Sequence, residues 1–117
     1  MSGSNTVLLF VDDAAVLSSL EFALSLEGFA VADGLAAANL SGAVLVIDQA
    51  CRGDGLALLA SLREAGCDTP AVLLATNPSR KLWHQAASVG VILIEKPLLS
   101  DELTRTLHRV LRVGETM

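Results

Sequence analysis

The sequence predicts a doubly wound α/β domain, with five strands alternating with five helices and the strands laid parallel in one sheet covered on both faces. Three observations predict it. Val7-Leu8-Leu9-Phe10-Val11, Ala43-Val44-Leu45-Val46-Ile47 and Ala71-Val72-Leu73-Leu74-Ala75 are unbroken apolar runs, the pattern of strands buried on both faces. The stretches between such runs space their apolar residues three and four apart and end at glycines. Each of the three runs closes on polar residues: Asp12-Asp13, Asp48 and Thr76. An ionised carboxylate is costly inside a buried strand, so these residues belong at the strand ends, where the sheet meets water.

In chain order, residues 1–5 read as a flexible tail and Val7–Val11 as the first strand. A helix follows from about Asp13 to Glu27, with Leu17, Leu20 and Leu24 on its core face and Gly28 at its stop. Its flank of Ala15, Ser18, Ser19, Phe22 and Leu26 is unusually apolar. Phe29–Ala32 is a short strand, and Gly34–Ser41 a weak, alanine-rich helix. The strand ending in Asp48 comes next, then a loop over Gln49–Gly53. Asp54 caps a helix carrying Leu56, Leu59 and Leu62, which Gly66 ends. Thr69-Pro70 turns the chain into the fourth strand. Asn77-Pro78-Ser79 opens a helix containing Leu82, Trp83, Ala86 and Val89. Val91–Ile94 is the last strand, followed by Glu95-Lys96-Pro97. Ser100 caps a final helix with Asp101 and Glu102 in its first turn and Leu103, Leu107 and Val110 facing the core. Residues 114–117 read as a second tail, so residues 1–117 form one domain.

At 52% hydrophobic residues the chain is apolar enough for a full core, and more apolar than a monomer of its size needs. A surface covered by a partner or a second copy explains that excess, and so do alanine-rich helices; composition leaves both open. The net charge of −5, with only eight Lys and Arg, argues against direct nucleic-acid binding. Cys51 and Cys67 lack metal-motif spacing and fit a reducing cytoplasm. No apolar run reaches membrane-spanning length, and the first residues lack the basic start of a signal peptide.

In a parallel sheet every strand ends at the same edge, so Asp12, Asp13, Asp48, Thr76 and Lys96 converge on one crevice. Any one of them has an ordinary explanation, as a helix cap, a turn residue or a solvated lysine. Five at one edge form a constellation. Clustered carboxylates repel, and a divalent cation relieves that repulsion. Mg2+ takes one or two carboxylates together with waters and a phosphate. A lysine and a hydroxyl beside it match the oxygens of a phosphoryl group. Asp48 itself has the chemistry of a nucleophile that forms an aspartyl phosphate.

Over nearly its whole length the chain resembles the receiver domain of two-component response regulators. The resemblance is carried by the acidic doublet Asp12-Asp13, Asp48 at the end of the third strand, Thr76 at the end of the fourth, Lys96-Pro97 after the fifth, and the helix start Asp54-Gly55-Leu56. Ile94-Glu95-Lys96-Pro97 looks most like the FixJ type.

The resemblance implies a flavodoxin-like sheet of strand order 2-1-3-4-5. It implies a phosphorylation-dependent signalling switch, not an enzyme in its own right, in which Asp48 takes a phosphoryl group from a histidine kinase or phosphotransfer protein. Mg2+ would be held by Asp13, Asp48 and the backbone carbonyl of Ala50, with Asp12 acting through water. Thr76 and Lys96 would hold the phosphoryl oxygens, and the Lys96-Pro97 peptide would be cis.

The donor surface would include Ala15, Ser18, Phe22 and Leu98. An output and possible homodimer surface on the fourth helix, fifth strand and fifth helix would include Trp83, Leu93, Arg105 and Arg109. With no output domain after the fifth helix, the expectation is a stand-alone regulator acting through a downstream protein partner.

Four positions depart from the pattern. Leu93 stands where an aromatic is usual, Asn77 where Ala or Gly is usual, Arg52 where the acceptor loop usually has proline, and Ala14 where many relatives are polar. These departures motivate the alternative of a non-switching receiver-fold module that works by protein contact. A Mg2+-dependent phosphatase is a third reading, but no general acid is evident beside the nucleophile. Flavin binding fares worse, since Asp12-Asp13 would repel its phosphate.

Overall fold

The structure is a computed structural model, and it describes residues 6–36, 43–67, 69–96, 103, 105–107 and 109–110. Its centre is a five-stranded sheet of order β2-β1-β3-β4-β5: β1 (Thr6–Phe10), β2 (Ala30–Asp33), β3 (Ala43–Asp48), β4 (Ala71–Thr76) and β5 (Ile92–Lys96). Every pairing is parallel. The helices are α1 (Ala14–Leu26), α2 (Gly55–Glu64) and α3 (Arg80–Ser88). Leu103, Arg105, Thr106, Leu107, Arg109 and Val110 are helical residues of a last segment.

β3 is buried at all six positions, as its apolar run requires. Alternate residues of the strands feed two cores, one on each face. Val7, Leu9, Val44, Val46, Val72, Leu74 and Ile94 pack with Leu24 of α1 and with Leu103 and Leu107 of the last segment. Leu8, Phe10, Leu45, Ile47 and Leu73 pack on the other face with Leu56 and Leu59 of α2 and Ala86 of α3.

The helices start where the sequence places them. The Asp13 carboxylate accepts from the amides of Ala15 and Val16 at 2.9 and 3.1 Å. Asp54 accepts from Ala57 N–H at 3.2 Å, and Ser79 Oγ from Leu82 N–H at 3.0 Å. Each cap satisfies an amide that has no partner inside its own helix.

Several boundaries differ from expectation, β1 among them, which runs Thr6–Phe10 instead of Val7–Val11. β5 continues through Glu95 to Lys96, because the β4 register carries its pairing out to Thr76 opposite Lys96. β2 begins at Ala30 and ends at Asp33, whose carboxylate accepts from Leu35 N–H and turns the chain. The helix expected over Gly34–Ser41 is a single 3-10 turn over Gly34–Ala36, and the remainder lies outside the described residues. Leu35 of that turn packs against the core. Pro97, Leu98, Ser100, Asp101, Glu102 and both tails also lie outside the described residues.

Candidate functional site

Strand alternation assembles the site. Asp48, Thr76 and Lys96 continue the face occupied by Val46, Leu74 and Ile94, so all three belong to the side covered by α1 and the last segment. Asp48 is only 6% exposed. Its Oδ1 accepts from Ala50 N–H at 2.8 Å. Lys96 reaches across β4, and its ammonium meets Asp48 Oδ2 at 2.8 Å. The buried carboxylate thus has a partner on each oxygen, as a buried charge requires.

Two adjoining cavities share this ion pair. One, of about 380 Å3, is lined by Asp48, Gln49, Ala50, Thr76, Asn77 and Lys96 among others. The second, of about 240 Å3, is lined by Asp12, Asp13, Asp48, Ala50, Cys51 and Lys96 with Val11 and Val16. The residues picked out from the sequence therefore meet: Asp48 and Lys96 stand between a hydroxyl side and an acidic side.

The acidic residues differ in what holds them. Asp13 is exposed and spends one oxygen on the α1 cap. Asp12 crosses to the loop after β3, where its Oδ2 accepts from Arg52 N–H at 2.7 Å. Its Oδ1 accepts from Cys51 Sγ at 3.6 Å. The sequence gives no sign of this bridge. Arg52 itself adopts a left-handed backbone, with φ of 54°. That conformation costs a side-chain-bearing residue roughly 1 kcal/mol.

The donor set fits Mg2+. Among the described residues, no three acidic, histidine or cysteine side chains stand together as a metal cage. A small hard cation does not need one, since it keeps much of its water and takes one or two carboxylates. Three carboxylates and the Ala50 residue around one small cavity, balanced there by Lys96 alone, supply that chemistry.

The loop after β3 is tied down by polar contacts around Gln49. Its Oε1 accepts from Leu56 N–H and its Nε2 donates to Asp54 Oδ1, both at 2.9 Å. Its backbone carbonyl accepts from Gly55 N–H at 2.8 Å. Gln49 therefore shares the capping of α2 with Asp54, and the residue after Asp48 is anchored to the helix start. The sequence showed Asp54 as the cap but gave no reason to add Gln49.

Cys51 is buried at 1% exposure, and its thiol is pushed up from 9.0 to about 11. Burial is the main cause, with the nearby Asp12 carboxylate adding to it. A thiol held in its neutral form is a poor nucleophile, which supports a structural role. The folded state holds this proton more tightly than the unfolded chain does. Stability is therefore expected to be full below about pH 9 and to fall, by on the order of 2 kcal/mol, as pH rises towards about 11. Urea melts of wild type and Cys51→Ser across that range check this, the variant losing the alkaline slope.

No protein-family model and no curated protein matches the sequence. Solved structures do match. FixJ-N shares 26% identity over 92% of this chain and 93% of its own, with a TM-score of 0.79. Full-length FixJ from B. japonicum shares 28% identity at a TM-score of 0.81; the match covers 94% of this chain and 59% of that one. The beryllofluoride-activated NtrC4 receiver domain dimer, at 22% identity and a TM-score of 0.78, matches over 93% of this chain and 98% of its own. With the strand order expected of a flavodoxin-like sheet, this chain has the fold of the response-regulator receiver domains and is similar to the FixJ type.

Proposed function

We propose that this chain is a phosphorylation-dependent signalling domain that accepts a phosphoryl group on Asp48. The observation that carries this reading is the buried Asp48 carboxylate paired with Lys96 at 2.8 Å, in a cleft shared with Thr76. In the transfer, a carboxylate oxygen of Asp48 bonds to phosphorus as the phosphorus–nitrogen bond of a phosphohistidine breaks. The imidazole nitrogen keeps the electron pair and takes up a proton. Lys96 and Thr76 offer an ammonium and a hydroxyl to the oxygens on which charge accumulates.

Asp13 and Asp48, the Ala50 carbonyl, and Asp12 through water are the residues that would hold Mg2+. Bound there, the ion supplies a positive centre that offsets the charge of carboxylate and phosphoryl group. Because Asp13 also caps α1, a cation drawing on its carboxylate would act on the start of that helix.

The donor in this reading is a histidine kinase or phosphotransfer protein that docks on α1. Val16, Phe22 and Leu26 leave 38%, 69% and 70% of their surface exposed there. The output face, also the face for a homodimer, carries exposed Trp83, Arg105 and Arg109; Leu93, expected there too, is half-buried against the core, and its neighbour Ile92 is exposed instead. The whole of residues 1–117 acts as one receiver domain in a cytoplasmic two-component pathway, with no direct nucleic-acid or membrane contact. No helix among the described residues is long and apolar enough to cross a membrane.

A small phosphodonor with Mg2+ is expected to add one phosphoryl group by intact mass. The beryllofluoride mimic is expected to change Trp83 fluorescence, since that side chain is 43% exposed on α3. Absence of both responses rejects the reading. The non-switching alternative draws support from Leu93, half-buried and packed with the core that holds Leu82 and Val89, where a swinging aromatic is usual. It is favoured if the phosphoryl group is taken up while fluorescence and light scattering stay unchanged.

A further inference from the structure

One residue of the larger cavity, already unusual in the sequence, has a side chain without a hydrogen-bond partner among the described residues. Asn77 follows Thr76 at the end of β4 and lines the cleft with Asp48, Thr76 and Lys96. Its backbone has φ of 50°, in the left-handed region. It also precedes Pro78, a position biased towards extended backbone. Asparagine tolerates the left-handed region better than most residues, but glycine would tolerate it better still. The strain falls at the rim of the candidate site, where a held conformation points to a functional use. Among the described residues, no hydrogen bond engages the Asn77 side-chain amide.

Resting on the phosphoacceptor reading above, we propose that Asn77 is a phosphoryl-binding residue of this chain, its side-chain amide donating to an oxygen of the group carried by Asp48. Lys96 brings a full charge and Thr76 a hydroxyl; Asn77 adds a neutral N–H donor from the outer side of the same cleft. The side chain is short, with two rotatable bonds, so forming the hydrogen bond costs little conformational freedom. A donor to a charged oxygen is stronger than one between neutral groups, and in a half-open cleft it retains part of that advantage.

The test is binding of beryllofluoride with saturating Mg2+ to the full chain, followed by Trp83 fluorescence. Asn77→Gly keeps the backbone conformation and removes the donor; its affinity is expected to fall about five- to tenfold, with Tm unchanged or higher. Asn77→Asp keeps the shape but replaces the donor with a negative charge, and is expected to lose more than tenfold. Wild-type affinity in Asn77→Gly overturns the proposal, leaving the residue a backbone role alone. Tighter binding in Asn77→Gly also overturns it, by showing that the side chain obstructs the cleft. Failure of the underlying reading is separate: wild type would then bind no mimic, or Asp48→Asn would bind it equally well.

Discussion

Asp48→Asn is expected to abolish phosphoryl uptake, with no mass gain from a small donor under conditions that label wild type fully. The amide oxygen can still accept from Ala50 N–H, so the loop retains its 2.8 Å contact and the fold is expected to survive. What is lost is the anionic nucleophile of the proposed transfer. Its stability cost is expected to be small, about 1 kcal/mol, because Lys96 keeps 29% of its side chain in solvent and can rehydrate. Lys96→Ala inverts the balance. It leaves a carboxylate that is 9% exposed without its counter-charge, and is expected to cost about 2–3 kcal/mol. Labelling with a small donor should drop sharply in that variant without reaching zero, since Asp48 remains. Urea denaturation and intact mass on the two proteins separate the nucleophile from its electrostatic support. Equal labelling of Asp48→Asn and wild type would mean that another residue takes the group.

Gly55→Ala is expected to damage the site from behind. A Cβ at Gly55 would stand 2.4 Å from the Asp48 carbonyl oxygen and 2.9 Å from Ile47 Cγ2. The obstacle is backbone, with no rotamer to escape into, so β3 and α2 must separate. The expected loss is about 2–3 kcal/mol, in the range of other overpacked cores. Gly55 N–H also bonds the Gln49 carbonyl, so the displacement pulls on the acceptor loop. The mimic is therefore expected to bind at least tenfold more weakly even at temperatures where the protein is folded. Gly53→Ala is the contrasting case. A Cβ there meets nothing within 4 Å, but the backbone φ of 84° disfavours any side chain. It should cost about 1 kcal/mol through conformation alone. Chemical melts distinguish the two glycines; equal losses would contradict the close approach at Gly55.

What the sequence revealed and what it hid follow a physical line. The apolar run 43–47 had one solution, a fully buried strand, and β3 has those bounds plus Asp48. The caps at Asp13, Asp54 and Ser79 were legible because each depends on a few neighbouring residues. The meeting of Asp48, Thr76 and Lys96 was legible because parallel strands share an edge. Contacts set by backbone shape at a distance were not. Asp12 reaches Arg52 across 40 positions of sequence, at a residue whose left-handed turn the sequence does not announce. Asn77 was visible as an unusual residue, while its left-handed conformation was not. Of the helix expected over Gly34–Ser41, the described part is the 3-10 turn Gly34–Ala36, whose Leu35 packs on the core, and alanine propensity alone did not foretell that tighter turn.

The all-parallel sheet also governs how the chain reaches this state. None of its four strand pairs is a hairpin, and the central pairing of Val7 with Val44 must wait for a loop of dozens of residues to close. Contacts of such long range slow folding and leave the run Val44-Leu45-Val46-Ile47 uncovered in the meantime. A run of that kind, without charge or proline until Asp48, is prone to pair with another copy before its own neighbours arrive. Refolding yield should fall with protein concentration, and the loss should trace to β3. Asp48 then has a part to play before any signal arrives, as the first charge that ends the sticky stretch.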